Sequence, residues 1–223
     1  MPGVSRFIST GLYYLLYRSR FKSGGIMANQ NLVRNLGIAC SIGAAIFSAN
    51  GIWEILQPSI SMDPPEMLDP LHFRIGTLIF GFICVPAFFA GQLGYYLAGA
   101  TGKNWFAKLI ILVFAVGAIV YACGAVIQTV TLDGSPLFGI GIMTTQWLCP
   151  VLLGIAALFA RTVALWKRLF PFLLVIVPAI AFPIFISNDL PLMGALAING
   201  LGWMIFGYVV FSEAKDDNNK TAS

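Results

Sequence analysis

Five side chains able to ligate a metal or move a proton fall within residues 51–74, GIWEILQPSISMDPPEMLDPLHFR: Glu54, Asp63, Glu66, Asp69 and His72. The stretch holds four of the chain's nine acidic residues and its one histidine. Carboxylates suit hard cations, and an imidazole admits a transition metal. Yet no two of the five recur at a recognised ligand spacing, so no metal is expected. Helix starts explain most of them more simply. Asp63-Pro64-Pro65-Glu66 has an acid to cap, a proline for the first helical position and an acid three residues after the cap, which predicts a short surface helix. Asp69-Pro70 repeats the signal and begins a long helix, with His72 and Arg74 in its first turn. Asp133-Gly134-Ser135-Pro136 predicts a further start with Ser135 as cap. Glu54 and His72 are left over as an acid and a base. An intramembrane enzyme built on them needs the two within hydrogen-bond reach, directly or through one water.

Other catalytic constellations are missing. The sequence has no G-x-S-x-G elbow, no H-E-x-x-H, no Walker loop and no acid or lysine near the middle of an apolar run. What remains is mostly neutral. Asn50, Gln128, Thr144, Thr145, Gln146 and Asn199 fall between the middle and one end of their apolar runs, and Gln92 falls nearer the other end. Residues four apart share a helix face, which pairs Asn50 with Glu54 and Asn199 with Trp203. Amides of this kind either bridge helices, at about 0.6 kcal/mol each in membranes, or converge in a mostly apolar pocket. The pocket reading assigns Asn50, Glu54, His72, Gln128, Gln146, Trp147, Asn199 and Trp203 to a ligand cavity. It predicts that Asn50, Gln146, Asn199 and Trp203 meet. The ligand is then small and neutral or lipid-like, and no cofactor is called for.

The elements that hold these residues follow from composition. Hydrophobic residues make up 58% of the 223 and charged ones only 10%, against about 25% charged in soluble domains. A helix needs about 20 mostly apolar residues to cross the hydrocarbon core. Six runs qualify, at about 35–56, 73–99, 105–129, 137–161, 169–188 and 190–212. None alternates as a barrel strand would. The expectation is an all-α integral membrane protein, a six-helix bundle over 35–212. Residues 1–34 form a cytoplasmic or interfacial lead and 213–223 a polar cytoplasmic tail.

The net charge of +4 does not point to nucleic acid, because the basic residues flank the spans. Lys103 and Lys108, then Arg161, Lys167 and Arg168, then Lys215 and Lys220 occupy alternate connections and the tail. Of the thirteen Lys and Arg, only Arg74 falls on the opposite side. By the positive-inside tendency both termini are cytoplasmic. A bacterial plasma membrane is the default host. The four cysteines lie one per span, without C-x-x-C spacing, and read as small hydrophobes.

Before the spans, FISTGLYYLLY (7–17) is too short to cross a membrane. It reads as an interfacial helix, a targeting segment, or sequence upstream of a natural start at Met27. Spans two and four share Cys just before Pro near their middles (Cys84 and Pro86; Cys149 and Pro150), a faint trace of a parallel repeat. Span five carries Pro171, Pro178 and Pro183. Gly91 and Gly94, Gly117 and Gly124, and Gly154 allow close helix approach, within the chain or in an oligomer. The function expected is non-catalytic: binding or moving a small neutral or lipid-like molecule through an outward-facing polar cavity. A solid accessory subunit is the first alternative and the Glu54–His72 enzyme the second.

Overall fold

The computed structural model describes residues 30–62, 65–102, 104–187 and 193–221. The N-terminal apolar stretch, Asp63, Lys103 and Asp189 lie outside them. In lipid no water pairs with exposed backbone groups, so an apolar chain satisfies its N–H and C=O groups within helices. Six helices result: α1 Gln30–Leu56, α2 Pro70–Leu97, α3 Trp105–Thr131, α4 Pro136–Ala160, α5 Leu165–Ser187 and α6 Met193–Thr221. Each contains a stretch long and apolar enough to cross a membrane. The chain is therefore an all-α, multi-pass membrane protein. Its last helix runs on past residue 212, so the expected tail is helical as far as Thr221.

Each helix packs on its neighbours in sequence, and α6 closes the ring on α1 in the most extensive pairing of all. Small residues make that seam. A Cβ added to Gly37 would lie 2.7 Å from the Gly207 carbonyl oxygen. Ser41 Oγ donates to Met204 O (3.1 Å) and Ser48 Oγ to Ala197 O (3.0 Å). A second close seam joins α3 and α4, where Gly124 lies against the backbone of Phe138 and Gly141 against that of Tyr121. Gly91, Gly94, Gly117 and Gly154 likewise face side chains of this same chain. Aromatic rings fill the middle. Trp203 stacks on Phe88 at 4.4 Å and meets Phe206 edge-on at 5.7 Å.

Two spans depart from α-helical winding at matching places. Phe80–Cys84 of α2 and Met143–Leu148 of α4 are π-helical turns. Val85 N–H reaches back five residues to Phe80 O, and Cys149 N–H to Thr144 O. Pro86 and Pro150 follow at once. A proline ring clashes with the carbonyl four residues earlier, and a widened turn takes up that clash without breaking the helix. In α5 the helix continues through Pro171, Pro178 and Pro183.

One of the expected helix starts needs correction. Residues 65–67 are not the first turn of a surface helix. They form a strand that pairs antiparallel with Ile60–Met62, with Ile60 opposite Met67. A helix of so few residues gains too few hydrogen bonds to offset its nucleation, whereas the hairpin pairs backbone with only two residues between its strands. Ser135 does occupy the cap position of α4, but its side chain makes no capping bond. The Asp69-Pro70 start forms as expected. Asp69 Oδ1 accepts from Leu71 N (3.0 Å) and His72 N (3.1 Å), and Pro70 opens the helix.

Candidate functional site

Two sets of buried polar residues bear on function. The first lies where the end of α1 meets the start of α2. Glu54 is the last buried residue of α1, and His72 lies in the first turn of α2. Their Nε2 and Oε1 atoms are 3.2 Å apart, and each side chain is less than a tenth exposed. That is ion-pair distance, although the imidazole N–H is not aimed along the line of a hydrogen bond. Trp53 covers the imidazole, stacked at 3.9 Å with 25° between the planes. The connecting loop supplies the rest. Ser59, at 1% exposure, donates its N–H to Glu54 Oε2 (3.0 Å) and its hydroxyl to both carboxylate oxygens (3.1 Å each). Its carbonyl accepts from Leu68 N and Asp69 N, 2.9 and 3.2 Å away. Ser59 thus ties the acid of α1 to the cap of α2. Asn50 joins the group one turn earlier. A Cβ on Gly76 would sit 3.4 Å from Asn50 Oδ1 and 3.7 Å from Glu54 Oε1. Asn50, Glu54 and His72 therefore do come together, and glycine at 76 leaves them room.

The second set is spread over the inward faces of α2, α4 and α6. Gln92 is fully buried, and neither of its amide atoms has a hydrogen-bond partner among the described residues. The same holds for Gln146, 4% exposed, in the π-helical turn of α4. Asn199 Oδ1 and Trp203 Nε1 on α6 are buried and unpartnered in the same way. Gln92 sits one turn beyond Phe88, the ring that stacks on Trp203. Cys149 and Leu153, on the turns after Gln146, belong to the same apolar core as Trp203.

The expected cavity set is thus divided. Asn50 faces α2 beside Glu54, while Gln146, Asn199 and Trp203 lie on the inward faces. No hydrogen bond links these four among the described residues. Gln128 is half-buried near the end of α3, with Oε1 unpartnered. Trp147 is half-buried and Trp203 fully buried. Two clefts among the described residues, one of 780 Å³ and one of 360 Å³, lie between α4 and α5 and between α3 and α4. Neither is lined by a residue of the expected set.

Two participants escaped the sequence reading, and a third was seen but set apart. Ser59 gives no local signal, because it meets Glu54 only when the loop folds back. Tyr121 has a buried, unpartnered hydroxyl and meets Phe80 edge-on at 5.1 Å; among so many aromatic residues nothing marks it out. Gln92 was visible as a polar residue in an apolar run, but its depth separated it from the others. Compared with known proteins, the chain matches no family model, no curated protein and no solved structure.

Proposed function

We propose that this multi-pass membrane protein binds or moves a small, neutral or lipid-like molecule in the interior between α2, α4 and α6. One observation carries the reading: Gln92, Gln146, Asn199 and Trp203 hold buried polar atoms without partners among the described residues. Burying such a group without a hydrogen bond costs about 1–3 kcal/mol. A ligand with its own donors and acceptors offsets that cost when it binds. The groups are two kinds of amide and an indole N–H, all uncharged, and they suit an uncharged ligand. Phe88 and Trp203, stacked on one another at 4.4 Å, give these groups apolar surroundings, in keeping with pockets that are mostly apolar with a few converging polar groups. Entry requires the packed centre to open. The π-helical turns of α2 and α4 are natural places for that, since such turns recur at functional sites. With the basic loops and both termini cytoplasmic, the opening is toward the opposite side.

The enzyme alternative draws support from the 3.2 Å between Glu54 and His72. Against it, Ser59 engages both carboxylate oxygens and Trp53 covers the imidazole. That occupancy favours a clasp between α1 and α2 over a free acid and base.

Cysteine accessibility tests the interior reading. Single cysteines at 146 and 199, on a background without Cys40, Cys84, Cys123 and Cys149, are treated with a membrane-impermeant thiol reagent from each side. Labelling of both from the side opposite the termini is the expected result. Protection of both from either side, in membranes where a cysteine at 163 labels from the terminal side, would favour the solid accessory bundle.

A further inference from the structure

We propose that the cleft between the end of α4 and the start of α5 is a binding site for an anionic phospholipid of the leaflet on the basic-loop side. The 780 Å³ cleft has two chemistries in one place. Ile155, Leu158, Phe159 and Leu165 form apolar walls, and Arg161 and Arg168 stand at its rim. Phe159 is 83% exposed and Leu165 59%, so the walls are open to a chain arriving from the bilayer.

The local fold aims the two arginines. Arg161 ends α4 in the left-handed conformation (φ 51°), which turns the chain sharply toward α5. Arg168 lies in the first turn of α5 and donates Nε–H to Val163 O at 2.6 Å. That bond uses one of the five guanidinium donors and fixes the plane, leaving the others for a second partner. The third cation of this connection, Lys167, points elsewhere, to Glu213 of α6. No carboxylate forms an ion pair with Arg161 or Arg168 among the described residues.

Charge complementarity selects the occupant. Guanidinium groups take phosphate oxygens in paired hydrogen bonds, and basic pockets between spans on the cytoplasmic side suit anionic headgroups. The start of α5 adds the positive end of a helix dipole. A zwitterionic lipid fills the apolar walls equally well but brings its own cation to the arginines. A soluble phosphate satisfies the arginines but leaves the walls uncovered. Only an anionic phospholipid uses both.

The test is native mass spectrometry of the full chain, delipidated in detergent and offered equal phosphatidylglycerol and phosphatidylcholine. The expected result is at least a fivefold preference for phosphatidylglycerol in the first bound lipid. Arg161→Gln with Arg168→Gln should bring the ratio near one, while Arg74→Gln, a charge loss at the other end of the bundle, should leave it unchanged. Leu158→Trp fills the cleft without altering charge and should reduce first-lipid retention severalfold, which keeps the proposal open to refutation if the double variant does not fold. Equal retention of the two lipids by the native chain would overturn it. So would an unchanged preference in the double variant or unchanged retention with Leu158→Trp.

Discussion

Glu54 and Gln146 are almost equally buried, at 6% and 4% exposure, yet the structure provides for them in opposite ways. Glu54 accepts from a backbone N–H and a hydroxyl and lies beside an imidazole. Gln146 has no hydrogen-bond partner among the described residues. The difference follows from where each sits. Glu54 is at a helix end, beside a loop whose N–H groups are not committed to an i→i−4 ladder. Ser59 can therefore offer both a backbone and a side-chain donor. Gln146 lies in the middle of a span, where neighbouring backbones have already paired with themselves. Its partner has to be another side chain, water or a ligand. A charged group also cannot be left bare in such a place, whereas an amide can be at modest cost.

The largest expected effect breaks the better-provided side. Glu54→Ala strands the Ser59 N–H and hydroxyl and leaves His72 without its acid. Removing one member of a buried pair costs about 3 kcal/mol or more. Thermal unfolding in detergent should show that loss, and a change under about 1 kcal/mol would mean that the clasp does not hold α1 to α2. A double cycle with His72→Ala should then give a coupling of about 1–2 kcal/mol, as residues in direct contact do. Additive single losses would show that the 3.2 Å approach carries no energy. Ser59→Ala is the mildest change at this end. It removes the hydroxyl and spares the backbone bond, so about 1 kcal/mol is expected, read from the same melts.

The sequence carried these two regions unequally. Asp69-Pro70 was legible because capping is local: the donors are two and three residues away. The spans were legible because length and apolarity alone decide them. Residues 65–67 misled, since an acid after prolines reads as a helix start and pairing with Ile60–Met62 is not a local property. The α1–α6 seam was harder still. Gly37 and Gly207 meet across most of the chain, and each looks like any other glycine in a membrane span. The Cys-then-Pro pattern of spans two and four did register, and its structural counterpart is a π-helical turn in each.

The smallest expected effect is the most informative, because its sign separates the two regions. Gln146→Leu and Asn199→Leu keep approximate volume and remove polar atoms that have no partners among the described residues. With no hydrogen bond to lose, each should leave stability within about 0.5 kcal/mol of the native chain or raise it. Removing polar atoms from Glu54 does the reverse at similar burial. Ligand-free melts of the two leucine variants decide the point. A loss above about 1 kcal/mol in either would mean that the amide is already paired across helices, and the interior would then be held in the same manner as the α1–α2 junction. Stability kept or gained, with labelling at the remaining interior position retained, leaves these amides with a role other than holding the bundle together.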